Sequence, residues 1–140
     1  MIQLSDTAKE LIEGKNLAHF VTLMKDGSPQ VTPVWVDHDG EYVLVNTAEG
    51  RQKPRNLERD NRVALSVVDS ESQYKYVQIR GKVVEVTRDG AWDHICKLCE
   101  KYTGNPSYPK REGEVRVIVK IAPEHESGTN RPGTQARGND

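Results

Sequence analysis

The sequence predicts a mainly β domain, a six-stranded antiparallel barrel with peripheral helices. Three observations support this fold class. Short segments rich in alternating or β-branched apolar residues follow one another, turn signals containing Gly and Asp separate them, and only three short segments have helical character. A doubly wound sheet is disfavoured because it needs strands and helices in alternation. The 140 residues are enough for one domain with its own core.

A short helix and a first strand begin the predicted domain. Ser5 is an N-capping residue for a helix over residues 7–14, which would cover one end of the barrel. Residues 17–24 are apolar, with β-branched and aromatic members, and they stop at the turn residues Asp26 and Gly27. This pattern predicts the first strand and the start of a meander.

The second strand, over residues 29–36, contains a proline. Because Pro33 has no N–H group, the strand either lies at an edge of the sheet or is distorted there, which leaves nearby backbone groups free. Alternation places Val31, Pro33 and Trp35 on one face and Gln30, Thr32, Val34 and Val36 on the other.

Three more strands follow, over residues 42–46, 62–69 and 74–87. The last of these is long for a strand and contains Gly81 in its middle. A glycine inside a strand marks a bulge or a sharp bend, and bending is what allows a sheet to close into a barrel. We therefore expect the sheet to curl at Gly81.

A helix and a sixth strand complete the predicted domain. Apolar residues at helical spacing predict a helix over residues 90–102, and alternating valines predict a strand over residues 114–121. Almost no apolar residues follow, so we expect the domain to span residues 1–122 and residues 123–140 to form a polar, flexible tail.

The composition excludes several classes of partner. The 20 Lys and Arg residues are balanced by 21 Asp and Glu residues, so no global field attracts nucleic acid or an anionic membrane. The N-terminal residues lack the pattern of a signal peptide, and no apolar run is long enough to span a bilayer. Two cysteines do not form a disulfide framework. We therefore expect a cytoplasmic protein.

The segment between the third and fourth strands has the residue types that bind phosphate. Gly50 supplies a flexible backbone, Arg51 and Lys53 supply two cations, and Pro54 fits the first turn of a short helix whose free amides would face an anion. The alternative is a solvated charged loop, in which acidic neighbours balance these cations: Glu49, Glu58 and Asp60.

Several linked motifs resemble one family. The stretches GSPQVTPVWV, VNTAEGRQKPRNLERDNRVALSV and YKYVQIRGKVVEV, in this order, are similar to the pyridoxamine 5'-phosphate oxidase-like superfamily, in particular its deazaflavin (F420)-dependent branch. KYTGNPSYP followed by GEVRVIVKI is also similar to that branch. The resemblance covers residues 5–121 and implies an FMN-binding type of split β-barrel. The C-terminal Arg and His pattern of the true vitamin-B6 enzymes is not found.

The resemblance also implies a cofactor and its contacts. It implies an F420-dependent oxidoreductase that transfers a hydride between reduced deazaflavin and a small conjugated or heteroaromatic substrate, with FMN as the alternative cofactor. A homodimer would hold the cofactor at its interface, with the phosphate on the Arg-x-Lys pair. The matching positions are Gln30, Val31, Thr32, Pro33, Val34, Asn46, Arg51, Gln52, Lys53 and Asn56, with Lys75, Tyr76 and Val77 supplied by the second protomer.

Tyr76, Trp35 and the function itself each allow more than one interpretation. Tyr76 is a candidate proton donor to the reduced product, although hydride transfer itself requires no acid–base pair. Trp35 is either a residue that stacks on the cofactor ring or, more commonly for a large aromatic in a barrel, a core residue. A carrier that binds a flavin or a tetrapyrrole without turning it over is the alternative to an enzyme.

Two further groups of residues are interpreted as structural. His94, Cys96 and Cys99 lie on the predicted third helix, but they are only three potential metal ligands and no second cysteine pair follows, so burial is the preferred interpretation. His19, which lies among apolar residues of the first strand, is expected to be a hydrogen-bonded core residue.

Overall fold

The computed structural model describes residues 1–129 and shows a mainly β fold with three helices at its periphery. Seven strands are present in this part of the chain, one more than predicted. In chain order the elements are α1 (Asp6–Glu13), β1 (Ala18–Leu23), β2 (Pro29–Val34), β3 (Asp37–His38), β4 (Val43–Ala48), α2 (Gln52–Arg59), β5 (Arg62–Val68), β6 (Tyr76–Thr87), α3 (Ala91–Thr103) and β7 (Arg116–Gly128).

All the strands form one curled antiparallel sheet in the order β2-β1-β5-β6-β7-β4-β3, which confirms the split-barrel prediction. The inward side chains of the central strands and the buried face of α1 form a single hydrophobic core. None of the helices in residues 1–129 is both long enough and apolar enough to cross a membrane.

The position of β2 confirms the interpretation of Pro33. This strand lies at one edge of the sheet and pairs only with β1, so the missing N–H group at Pro33 breaks no ladder in the described sheet. Exposure alternates along β2 as the sequence indicates, with Thr32 turned inward and Val31 and Pro33 turned outward. Further along, β3 is the strand that was not predicted: it contains only two residues, too few to show a period.

The pairing of β6 with β7 is irregular at Gly81, where the sequence predicts a bulge or a bend, and the extra residue there is Glu124 of β7. The register between β6 and β7 shifts between Arg80 and Gly81 and again between Val83 and Glu85. At the first shift the β7 backbone approaches so closely that a Cβ on Gly81 would overlap the carbonyl oxygen of Ala122. The absence of a side chain at Gly81 therefore allows β6 to serve both halves of the curled sheet.

The beginning of the predicted tail belongs to the sheet, so the expected domain end at residue 122 is too early. β7 continues to Gly128, and residues 123–128 pair with the first half of β6. The backbone N–H and the Oγ of Ser5, the N-cap of α1, also donate hydrogen bonds to the Glu126 carboxylate, at 3.0 and 2.5 Å. Backbone pairing needs no apolar side chains, which is why hydropathy missed this extension. The rest of the predicted tail, residues 130–140, lies outside the described residues.

Hydrogen bonds join the C-terminal end of α3 to α1, to the segment after α1 and to the segment between β2 and β3. The Lys101 ammonium donates to the carbonyl oxygens of Ile12 (2.6 Å) and Val36 (2.8 Å), and the Tyr102 hydroxyl donates to the carbonyl oxygen of Asn16 (2.7 Å). Burial lowers the pKa of Lys101 to about 8 and raises the pKa of Tyr102. These contacts fix α3 against the part of the sheet that holds the site described next.

Candidate cofactor and substrate site

The junction between β4 and α2 contains the predicted phosphate segment. Gly50 has a φ of +84°, a conformation that favours glycine, and nothing lies within 4 Å of the position that a Cβ would occupy. Arg51 is the N-cap of α2 in an extended conformation and makes no side-chain cap hydrogen bond. The N–H groups of Gln52 and Lys53 have no intrahelical acceptor, because they lie in the first turn. This end of the helix therefore offers backbone donors beside two cations.

Lys53 is a cation without an acidic partner in the described part of the chain. Burial, followed by the charge of Arg51, lowers the pKa of Lys53. Among residues 1–129 its ammonium makes no hydrogen bond or ion pair, whereas Arg51 donates to Glu114 Oε2 at 2.9 Å. A half-buried ammonium next to a guanidinium is costly unless an anion neutralises it. The donor set therefore fits a phosphate group.

Asn56 connects this segment to β1. Its side chain is fully buried, and its amide nitrogen donates to Thr22 Oγ1 at 2.9 Å. Its carbonyl oxygen accepts hydrogen bonds from Gln52 Nε2 and Arg59 Nη2, each at 2.7 Å. The structure therefore places Asn56 as an anchor for α2 and for Gln52, out of reach of a surface ligand.

A cavity of about 290 Å³ lies beside Arg51, between β2, β4, α3 and the start of β7. Apolar and aromatic side chains form most of its wall, and three polar side chains interrupt them, which is the composition typical of small-molecule sites. The lining residues are Leu17, Pro33, Val34, Trp35, Asn46, Arg51, Ile95, Leu98, Tyr108 and Arg116.

The predicted ring-contacting strand, β2, borders this cavity with Pro33 and Val34. Thr32 faces inward on this strand, and its buried Oγ1 has no hydrogen-bond partner in the described part of the chain. Gln30 accepts a hydrogen bond from Thr22 Oγ1 at 3.3 Å, and Val31 is 58% exposed. The outward face of β2, formed by Val31 and Pro33, is an apolar surface that fits a planar ring.

Trp35 is not part of the hydrophobic core, so the interpretation preferred from the sequence is wrong, and its stacking on a cofactor ring stays a prediction. It is half-buried and stacks on Tyr102 with ring centroids 5.4 Å apart, and it also lines the cavity. Tyr108, in the segment between α3 and β7, packs edge-on against Trp35 and Trp92, with centroids 6.2 Å away in each case. The cavity therefore has an aromatic wall whose residues hold one another in place.

A chain of hydrogen bonds lies behind the polar wall. Asn46 is at its centre: its amide nitrogen donates to the Ala91 carbonyl oxygen at 2.9 Å and contacts His94 Nδ1 at 3.1 Å. Its carbonyl oxygen accepts a hydrogen bond from Arg116 Nε at 2.9 Å. All the polar atoms of Asn46 are thus engaged with the protein, so it orients Arg116 from the cavity wall.

A carboxylate lies at each end of this chain of hydrogen bonds, Asp37 at one end and Glu114 at the other. His94 Nε2 lies 3.3 Å from Asp37 Oδ2, and a proton on Nε2 satisfies both of its ring contacts. Burial raises the pKa of Asp37, but hydrogen bonds from His94 and from the His38 amide, together with the charge of Lys97, lower it to about 2 overall. At the other end, Glu114 bridges Arg116 Nη1 at 3.3 Å and Arg51 Nη2 at 2.9 Å.

The predicted contacts from the second protomer lie elsewhere in this chain. None of Lys75, Tyr76 and Val77 is among the described residues that line the cavity. Lys75 Nζ lies 3.8 Å from Glu10 Oε2, and the Val77 side chain is part of the core. Their assignment to a neighbouring copy of the chain stays a prediction.

The predicted burial of the residues interpreted as structural is confirmed for Cys99 and wrong for His19. The expectation for His19 is wrong: it is exposed on β1, opposite Pro33, because it lies between the inward residues Ala18 and Phe20. Cys99 is buried, as expected, and Cys96 is half-buried. No cluster of three or more metal-ligating side chains occurs within residues 1–129.

Sequence reasoning missed Glu114, Tyr108 and Arg116 as site residues. Arg116 is separated by 70 residues from Asn46, its partner in the hydrogen-bond chain, so no local spacing connects them. One signal was present: Arg116 is a charged residue in the otherwise valine-rich start of the last strand. A charge at an inward position of a strand requires a partner or a ligand.

Comparison with known proteins adds a family match. The family model described as pyridoxamine 5'-phosphate oxidase matches residues 4–130, nearly all of the described chain. Among solved structures, an F420 reductase is 31% identical in sequence with a TM-score of 0.80, and the match covers 89% of this chain and 98% of that one.

Two more distant structures share the fold alone. HupZ from Group A Streptococcus is 22% identical with a TM-score of 0.64, over 88% of this chain and 97% of that one. A conserved hypothetical protein from Mycobacterium tuberculosis is 21% identical with a TM-score of 0.68, over 90% of this chain and 84% of that one.

Proposed function

The chain belongs to the pyridoxamine 5'-phosphate oxidase family, and from this premise we propose that it is an F420-dependent oxidoreductase. It transfers a hydride between the reduced deazaflavin and a small conjugated or heteroaromatic substrate. The similarity to an F420 reductase over 98% of that protein's length supports this choice over other activities of the family.

The observation that carries the proposal is the unpaired cation at the start of α2. Lys53 has no acidic partner among the described residues, and it lies beside Arg51 and two free backbone amides. These groups would hold the cofactor phosphate, since a helix start with two cations neutralises an anion. The other basic side chains nearby have partners within the protein. Arg62 pairs with Asp60 at 2.7 Å, and Arg55 and Arg59 donate hydrogen bonds to Gln52 and Asn56.

The strand β2 would hold the ring. The outward residues of this strand, Val31 and Pro33, would supply apolar contact to the ring. When bound, a deazaflavin supplies two electrons as a hydride, so the protein orients the ring against the substrate and excludes water. The cavity next to Pro33 and Val34 is the place where a substrate would meet this ring.

We also propose that the active form is a homodimer. The outer row of β2 leaves Val31 58% exposed, and β6 leaves Val84 56% and Val86 45% exposed. Exposed apolar strand residues of this kind suit a self-association surface. A second copy would bring its Lys75, Tyr76 and Val77 to the ring and complete the site.

Titration of the purified protein with F420 and, separately, with FMN tests the cofactor assignment. We expect micromolar or tighter binding of F420, weaker binding of FMN, and a loss of roughly tenfold or more in F420 affinity for Lys53→Ala, because a charge-assisted contact is removed. Lys9→Ala, which removes a lysine on α1, is the matched control and keeps the wild-type affinity.

The outcomes separate the alternatives. Preference for FMN in the same Lys53-dependent manner would replace F420 by FMN, and absence of binding by either cofactor would refute the oxidoreductase assignment. Consumption of reduced F420 in the presence of an electron-accepting substrate distinguishes an enzyme from a carrier. A Tyr76→Phe variant with unchanged turnover would remove Tyr76 as the proton donor.

A further inference from the structure

The buried guanidinium of Arg116 is the strongest chemical group of the cavity without an assigned role. Its side chain is 5% exposed, and it lines the cavity near Arg51. Burying a guanidinium is costly, so its N–H donors need acceptors. The described contacts engage only Nε, with Asn46, and Nη1, with Glu114; within residues 1–129, Nη2 has no hydrogen-bond acceptor.

The side chain is held from behind in a fixed orientation. Asn46 accepts from Nε at 2.9 Å, and the guanidinium carbon lies 5.2 Å from the centre of the Tyr108 ring. Asn46 is fixed in turn by the Ala91 carbonyl and by His94, which contacts Asp37. A charged group that is oriented by several partners and still has free donors is organised for binding.

The charge balance of the wall favours an anion. Arg51 and Arg116 share one carboxylate, that of Glu114, so the polar wall keeps an excess positive charge. Asp37, the other acid of the hydrogen-bond chain, contacts His94 and Lys97 instead. A carboxylate would accept two parallel hydrogen bonds from an arginine, whereas a neutral amide gains less.

The remaining wall sets the shape of the ligand. Trp35 and Tyr108 provide aromatic surface, and Ile95 and Leu98 of α3 provide apolar surface. A volume of about 290 Å³ is at the small end of ligand pockets, which suits one ring with a short conjugated side chain.

We propose that this cavity is a substrate subsite for small planar carboxylates, with the carboxylate bound by Arg116 and the ring packed against Trp35 and Tyr108. The inference rests on the proposed function, because it specifies the substrate class of that oxidoreductase. Asn46 and His94 are positioning residues in this scheme, since they act on the ligand through Arg116.

The test compares two probes of equal shape on the F420-loaded protein: cinnamate, a planar carboxylate, and cinnamamide, its neutral analogue. Titration calorimetry is expected to show cinnamate binding at least roughly tenfold tighter than cinnamamide. Arg116→Gln is expected to abolish this preference while the affinity for cinnamamide stays within roughly threefold of wild type. Circular dichroism and the thermal midpoint establish that the variant is folded.

Several results would overturn the proposal. Equal affinities for the two probes in the wild-type protein would do so without any variant, and so would an Arg116→Gln protein that keeps the preference. Competition between F420 and cinnamate on the apoprotein would place the cofactor in the cavity and exclude a substrate subsite. If F420 fails to bind and cinnamate still binds through Arg116, the proposed oxidoreductase fails and the cavity remains a carboxylate site.

Discussion

At the scale of single residues, Asn56 connects the fold to the phosphate segment. It is fully buried, and it links Thr22 of β1 to Gln52 and Arg59 of α2. We expect Asn56→Ala to lower the free energy of unfolding by about 2–3 kcal/mol, because buried polar partners lose their hydrogen bonds. F420 affinity should fall as well, since α2 loses its anchor. Urea unfolding and cofactor titration measure the two effects.

The control for this prediction is Asn105→Ala, in the exposed segment after α3. It is expected to change stability by less than about 0.5 kcal/mol. If Asn56→Ala had a urea midpoint equal to that of this control, the buried hydrogen bonds would have no net effect.

Asp37 makes stability depend on pH. Its folded-state pKa is about 2, below the ordinary value of 3.8, so the unfolded state binds a proton more readily. The stabilisation is therefore complete above about pH 5 and is lost as the pH falls through 4 toward 2. We expect Asp37→Asn to be less stable than wild type at pH 7, with a difference that shrinks between pH 4.5 and pH 2.5. A difference that stays constant or grows on acidification would contradict this.

Local spacing predicted some site residues and missed others for a physical reason. Arg51 and Lys53 are two positions apart at a strand–helix junction, so the sequence alone identifies an anion site there. The contacts of Asn46 with His94 and Arg116 span 48 and 70 residues. The sheet order, which makes β7 a neighbour of β4, brings Arg116 to Asn46, and the packing of α3 against these strands brings His94.

At the scale of secondary structure, Pro33 predicted that β2 lies at an edge or is distorted, and the pattern of apolar residues predicted six strands. It failed where residues 123–128 pair through their backbone despite polar side chains. It was also misapplied at His19, because the apolar neighbours of an outward residue face inward. The hydropathy of a segment thus reports side-chain burial, whereas the end of a strand depends on whether a partner strand continues.

The close approach of β7 to Gly81 of β6 allows a direct test of the sheet. Gly81→Ala would drive a Cβ into the backbone of β7, which cannot yield without breaking the ladder. We expect a loss of about 2–3 kcal/mol in unfolding free energy, measured by urea unfolding. Lys82→Ala, at an exposed position on the same strand, should cost less than about 0.5 kcal/mol. A Gly81→Ala protein as stable as wild type would show that the register between β6 and β7 can shift.

At the scale of the whole molecule, one curled sheet keeps the proposed ligand groups of a single chain apart. The phosphate segment follows β4, whereas Lys75 precedes β6 and lies 3.8 Å from Glu10 of α1. A composite site would therefore need two copies related by a twofold axis, with each copy supplying a different part to each of two sites.

Complementation between two defective variants tests this arrangement. Lys53→Ala and Lys75→Ala should each bind F420 weakly as homodimers. Mixing them after reversible dissociation should restore about a quarter of the wild-type sites, because half of the dimers are mixed and one of their two sites carries neither substitution. Titration calorimetry counts the restored sites. If both lysines act within one protomer, mixing restores nothing, and the number of tight sites stays that of the separate variants.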